Sequence, residues 1–98
     1  MMERATKARR STDVFSDLGF SAAEAENLRI RSAMMRALVS HIRKSGLTQA
    51  QAAKAFGISQ PRISDLVRGK IHLFSTDNLV NLLTAAGLCV DLKVEKAA

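Results

Sequence analysis

The stretch from Gly46 to Lys70, GLTQAQAAKAFGISQPRISDLVRGK, constrains the fold more tightly than any other part of the chain. Its start and stop signals come at short intervals. Thr48 followed three residues later by Gln51 is a capping-box pattern, set just before an Ala-rich run that helices favour. Gly57 stands where that helix must stop, since glycine adopts a left-handed backbone without a Cβ penalty. Ser59 then caps a second helix, Pro61 sits in its first turn, where the missing N–H costs nothing, and Gly69 closes it. The spacing predicts two short helices joined by a tight turn.

The second of these helices sorts its residues by face. At 3.6 residues per turn, Ile63, Leu66 and Val67 share one side, which is the core stripe. Pro61, Ser64, Asp65 and Arg68 lie opposite, with Gln60 at the N-terminus and Arg62 on the flank. An ordinary helical hairpin satisfies caps and periodicity equally well. The positions of the polar residues favour a helix-turn-helix, in which the second helix is presented outward to a DNA major groove. Gln49 and Gln60 open the two helices, and Arg68-Gly69-Lys70 follows the second.

On that arrangement the contact chemistry divides in two. Thr48, Gln49 and Ser59 at the helix openings, with Arg68 and Lys70 past the second helix, are candidates for phosphate contacts, which position a protein without reading sequence. Gln60, Pro61, Arg62, Ser64 and Asp65 are candidates for reading bases. Glutamine pairs with adenine, arginine with guanine, and a carboxylate accepts from cytosine N4, while Pro61 offers only apolar contact, for instance to a thymine methyl. Asp65 is also expected to repel phosphate, so orienting Arg62 or Arg68, or excluding wrong sequences, fits it equally.

Composition bounds the rest. Ninety-eight residues, 47% apolar and 24% charged, describe one globular domain rather than a disordered chain. We read residues 1–12 as a flexible basic arm and 13–98 as the domain. No apolar run approaches membrane-spanning length, and the first thirty residues lack the apolar segment of a signal peptide. One cysteine, Cys89, permits neither an internal disulfide nor a cysteine metal cluster. A cytoplasmic protein with no membrane partner, no cofactor and no metal is expected. No Gly-rich phosphate loop or metal-ligand spacing appears, and His41 and His72 are the only histidines, so no enzymatic activity and no catalytic residue are expected.

The net charge of +6 is distributed unevenly. Basic residues dominate at Arg4, Lys7, Arg9 and Arg10, along 24–44, and in the helix-turn-helix with its exit. The C-terminal third is slightly acidic. Such a distribution suits a phosphate backbone, and equally suits a small protein kept soluble by charge.

Taken in order, DVFSDLGF places Val14, Phe15, Leu18 and Phe20 in one short apolar segment. Either packing against the body or a partner-binding strip fits it. Ser21 and Glu24 form another capping box, opening a helix to about Ser45, with Leu28, Met35, Leu38, Val39 and Ile42 at helical spacing. Its length allows a break near residue 29. Arg29, Arg36 and Arg43 recur every seven residues as a charged stripe. Ile71-His72-Leu73-Phe74 is a connector whose apolar residues pin it to the core, and Ser75 caps a last helix ended by Gly87. Leu88, Val90, Leu92 and Val94 then alternate with polar residues, which predicts a β-strand over 88–95. A single strand needs a partner: a second copy, the N-terminal segment or another protein. Symmetric pairing would make these four residues a dimerisation element, as a palindromic operator requires. The fold class expected is all-α, a small bundle of about five helices around the helix-turn-helix, plus that C-terminal strand paired across a dimer.

The stretch from Gly46 to Lys70 closely resembles the DNA-binding core of the Xre/Cro family, the fold of lambdoid phage repressors. In that family's pattern the turn and the start of the second helix are polar contact positions, from which Pro61 departs. The remainder, from DVFSDLGF to FSTDNLVNLLTAAGLCVDLKVE, resembles the small HigA-type antitoxins of that family in layout. The resemblance implies a homodimeric repressor of double-stranded operator DNA. It also implies neutralisation of a RelE/HigB-like ribonuclease toxin and autoregulation of the shared operon. A stand-alone Xre-type regulator with no toxin partner is the alternative.

Overall fold

The computed structural model describes residues 17–97. Four α-helices and one 3-10 turn follow in order among these residues: α1 (Ala22–Ser45), α2 (Gln49–Phe56), α3 (Gln60–Val67), the turn Ile71–Leu73, and α4 (Thr76–Ala85). Local chemistry sets every start. Ser21, Thr48, Ser59 and Ser75 each accept the N–H three residues ahead through the side-chain hydroxyl, and Glu24, Gln51 and Asn78 complete reciprocal boxes at α1, α2 and α4.

The ends of α2, α3 and α4 share one device. Ile58, Lys70 and Leu88 donate their N–H groups to Ala53, Asp65 and Leu83 five residues back, while the preceding glycines donate to Lys54, Leu66 and Thr84. This double closure satisfies carbonyls the helix would leave open and folds the next side chain back on the body. Ile58 and Leu88 accordingly pack against the core.

One apolar core joins the helices. Leu38 from α1, Ala52 from α2, Ile63 and Leu66 from α3, and Leu79 from α4 are wholly buried, with Phe74 from the connector among them. Burying each of the larger aliphatic side chains stabilises the fold by about 1.5–3 kcal/mol. The long α1 packs along α4, the connector and α3, while α2 packs on α3.

Three expectations are corrected. First, α1 runs through residue 29 without a break, and Arg29 spans one turn back to Glu26 with bonds of 3.0 and 2.7 Å. Second, the bundle has four α-helices among the described residues rather than about five. Third, residues 88–95 form no β-strand. The alternation is real, and Lys93 meets Glu95 two residues on at 3.8 Å, but no other extended segment of the described chain supplies the ladder a strand needs. Leu88 instead closes α4 and packs inward, whereas Val90, Leu92 and Val94 are exposed. Of the apolar connector residues, Phe74 is buried and Ile71 half-buried, but Leu73 faces outward.

Residues 1–12, together with Val14 and Phe15, lie outside the described residues. Leu18 and Phe20 are exposed, Leu18 the more so at 70%. No described helix is long and apolar enough to cross a membrane.

Candidate nucleic-acid interface

The turn between α2 and α3 is set by Gly57, whose φ of 71° and ψ of 28° lie in the left-handed region. That reversal lets Ile58 drop onto the core and starts α3 at once from Ser59, so the two helices pack as a unit with the opening of α3 outward. Ile63 and Leu66 anchor α3 from below, each fully buried. The two ends of the helix, Gln60 and Pro61 at its start and Arg68 past its last turn, are left exposed.

The predicted contact residues separate by environment. Ser59, Gln60 and Pro61 are exposed at the opening of α3, Thr48 and Gln49 are exposed at the opening of α2, and Arg68 is exposed at the far end of α3. Ser64 is half-buried between them. The start of α3 differs from the other three in one respect. Its third residue is Arg62 rather than Glu, Gln or Asn, so no side chain returns to the Ser59 N–H. A helix start with a free donor and exposed polar residues is suited to an anion.

Asp65 and Lys70 are tied together. Their side chains approach to 3.6 Å, and the Lys70 N–H donates to the Asp65 carbonyl at 3.0 Å. The partner of Asp65 is thus Lys70, where the sequence offered Arg62 or Arg68. A cation past the helix end is reached only because Gly69 reverses the chain.

Arg62 does not extend from the outer face. Its guanidinium lies 4.1 Å from the centroid of the Phe74 ring, and Nη1 donates to the Leu73 carbonyl at 2.8 Å. Arg31 of α1 also meets the connector, donating through Nη1 to the carbonyls of Ile71 (3.2 Å) and Phe74 (3.1 Å), while its Nε meets Asn27 Oδ1 at 2.7 Å. Sequence reasoning missed Arg31. The signal was present: Arg31 stands in the apolar series Leu28, Met35, Leu38, Ile42, where a charged residue needs buried carbonyls or a carboxylate to meet.

Among the basic residues of 24–44, the sequence singles out Arg29, Arg36 and Arg43 as a stripe and none as a site. Arg36, Arg43 and Lys44 border an open groove shared with Leu66, Val67 and Gly69 at the end of α3. No group of three or more His, Cys, Asp or Glu residues placed to hold a metal occurs among the described residues.

Two short helices crossing at a glycine turn, with the second anchored by its inner face and open on its outer one, define a helix-turn-helix protein, a DNA-binding class. Residues 14–95 match the family described as the helix-turn-helix domain. No curated protein matches the chain. A solved structure assigned as an XRE-family transcriptional regulator is similar over 76% of this chain and 83% of its own, at 34% identity and a TM-score of 0.70. The chain therefore belongs to the helix-turn-helix family and, within it, to the XRE-type transcriptional regulators.

Proposed function

We propose that this protein is a sequence-specific transcriptional repressor that binds its operator as a homodimer, each copy laying α3 into the major groove. The observation that carries this reading is the exposed opening of α3, where Ser59, Gln60 and Pro61 face solvent while Ile63 and Leu66 anchor the helix. Gln60 and Ser64 read base edges and Pro61 supplies apolar contact, with Asp65 shaping the edge of the read site through its pairing with Lys70. Thr48, Gln49, Ser59 and Arg68 hold phosphates, with Lys70 adding charge behind them. Two-fold symmetry follows from the need of one short helix for a second half-site one helical turn away.

A second reading adds a protein partner. Leu18 at one end and Leu92 and Val94 at the other expose large apolar side chains that nothing in the described chain covers, a feature of interaction sites. It supports an antitoxin role in which the chain also neutralises a RelE/HigB-like toxin encoded beside it.

The test is binding to the promoter fragment upstream of its own reading frame at two salt concentrations, with and without the product of the adjacent gene. Salt-sensitive, sequence-selective binding supports the repressor. A stable complex with that product supports the antitoxin role, and its absence leaves a stand-alone regulator. Failure to prefer the promoter over unrelated DNA would refute the repressor reading.

A further inference from the structure

The connector between α3 and α4 is held by two arginines from different helices. Arg31 reaches up from α1 to the carbonyls of Ile71 and Phe74, and Arg62 reaches down from α3 to the carbonyl of Leu73. The Phe74 side chain is buried, 1% exposed, with the Arg62 guanidinium over its ring. A guanidinium is planar, always charged and weakly hydrated, so it can stack on a ring and bond a carbonyl at once, which an ammonium does poorly. A cation in the first turn of a helix also opposes the helix dipole. The Arg62 charge is met instead by the Phe74 ring and the Leu73 carbonyl of the connector.

We infer that Arg62 is a positioning residue for DNA recognition: through Phe74 and Leu73, and together with Arg31, it fixes the tilt of α3 on the body and makes no base contact of its own. The inference rests on the DNA-binding reading of α3. It assigns to the connector a task that neither its sequence nor its short length suggests, since three of its carbonyls are committed to two arginines that no local motif links. Because α3 has only two turns, a small rotation at its first turn displaces Gln60 and Ser64 together. Loss of the clamp therefore weakens every correct contact in proportion rather than one of them.

The test uses the full chain and a duplex selected by the wild-type protein from randomised DNA. Arg62→Met keeps an unbranched apolar stem and removes the guanidinium with its charge and donors, and Phe74→Leu removes the ring. Binding is measured at a temperature at which circular dichroism shows each variant folded. Each substitution is expected to lower affinity roughly three- to tenfold, the scale of one cation–π contact and one charge-assisted hydrogen bond. The pair together is expected to be no worse than the worse single change, because both break one contact. The order of base preferences and the salt slope should match the wild type, with discrimination reduced evenly across positions. Should Phe74→Leu not fold, Arg31→Met takes its place, with the same loss of affinity expected from the single change and the same order of base preferences, since Arg31 holds the connector through the Ile71 and Phe74 carbonyls.

A change in preference confined to one base pair would make Arg62 a base reader and overturn the inference. A salt slope shallower by about 1 would make it a phosphate contact. A lowered Tm with unchanged affinity would reduce the clamp to stability alone. If the wild type selects no duplex, the DNA-binding reading itself fails; if the wild type binds and Arg62→Met binds equally well, only the clamp fails.

Discussion

At the scale of single residues, position on a helical wheel separated the anchoring side chains well and the long polar ones poorly. Ile63 and Leu66 fall on the core stripe and are fully buried. Truncating Leu66 to Ala is expected to cost about 2–5 kcal/mol, seen as a lower urea midpoint with an unchanged m-value. Arg62 shows the limit of such reasoning. The wheel places its Cα on a flank, but a long side chain chooses its partner over several ångströms, here a carbonyl eleven residues ahead. Asp65 is the same case, since its partner Lys70 lies beyond a glycine that turns the chain back. Gln60, short of any such partner and exposed at the helix start, is the residue expected to read a base. Gln60→Ala should cost about 1–3 kcal/mol of binding on the preferred duplex and far less on duplexes altered at one position, measured by titration against single-base variants.

At the scale of elements, what is local was legible. Every helix start is marked by Ser or Thr, and three of the four carry the reciprocal partner three residues on. Thr48→Ala should therefore destabilise the chain by about 0.5–2 kcal/mol in urea unfolding. Glu24 makes the box at α1 sensitive to acid. Its side chain accepts the Ser21 N–H at 2.8 Å, and this bond, with the one to the Ser21 side chain, holds its carboxyl below the usual carboxylate range against a small opposing effect of burial. A folded pKa below the unfolded one means the unfolded chain takes up the proton first. The contribution of Glu24 is therefore complete above the ordinary carboxylate pKa and fades as the pH falls through the lowered folded value. Comparing urea midpoints of the wild type and Glu24→Gln across pH 7 to 3 should show a difference that changes only in the acidic part of that range. The C-terminal stretch was misread for the opposite reason. Alternation tells which residues would share a face of a strand, whereas a strand exists only when a second backbone supplies its hydrogen bonds, and that information is not in the stretch itself.

At the scale of the whole molecule, a charge of +6 on 98 residues gives the affinity its ionic character, while the anchored helix gives it direction. Of the charged phosphate candidates, Arg68 is exposed whereas Lys70 shares its charge with Asp65. Arg68→Ala should weaken binding about equally on all sequences and make the salt slope shallower by about 1. The class of fold was legible because four helices with clear caps admit few packings. Where a second copy would pair was not legible, because the tail on which the sequence placed that pairing carries no strand among the described residues. The central claim, that the open start of α3 reads DNA, is tested most directly by one titration. Wild-type protein is bound to its own promoter duplex and to the same duplex with the two half-sites scrambled, at a fixed salt concentration. A preference of about a thousandfold or more for the intact duplex, the lower end of the usual gap between specific and non-specific binding, is the predicted result. Equal affinity for the two would mean that the basic surface binds any DNA and that α3 reads nothing.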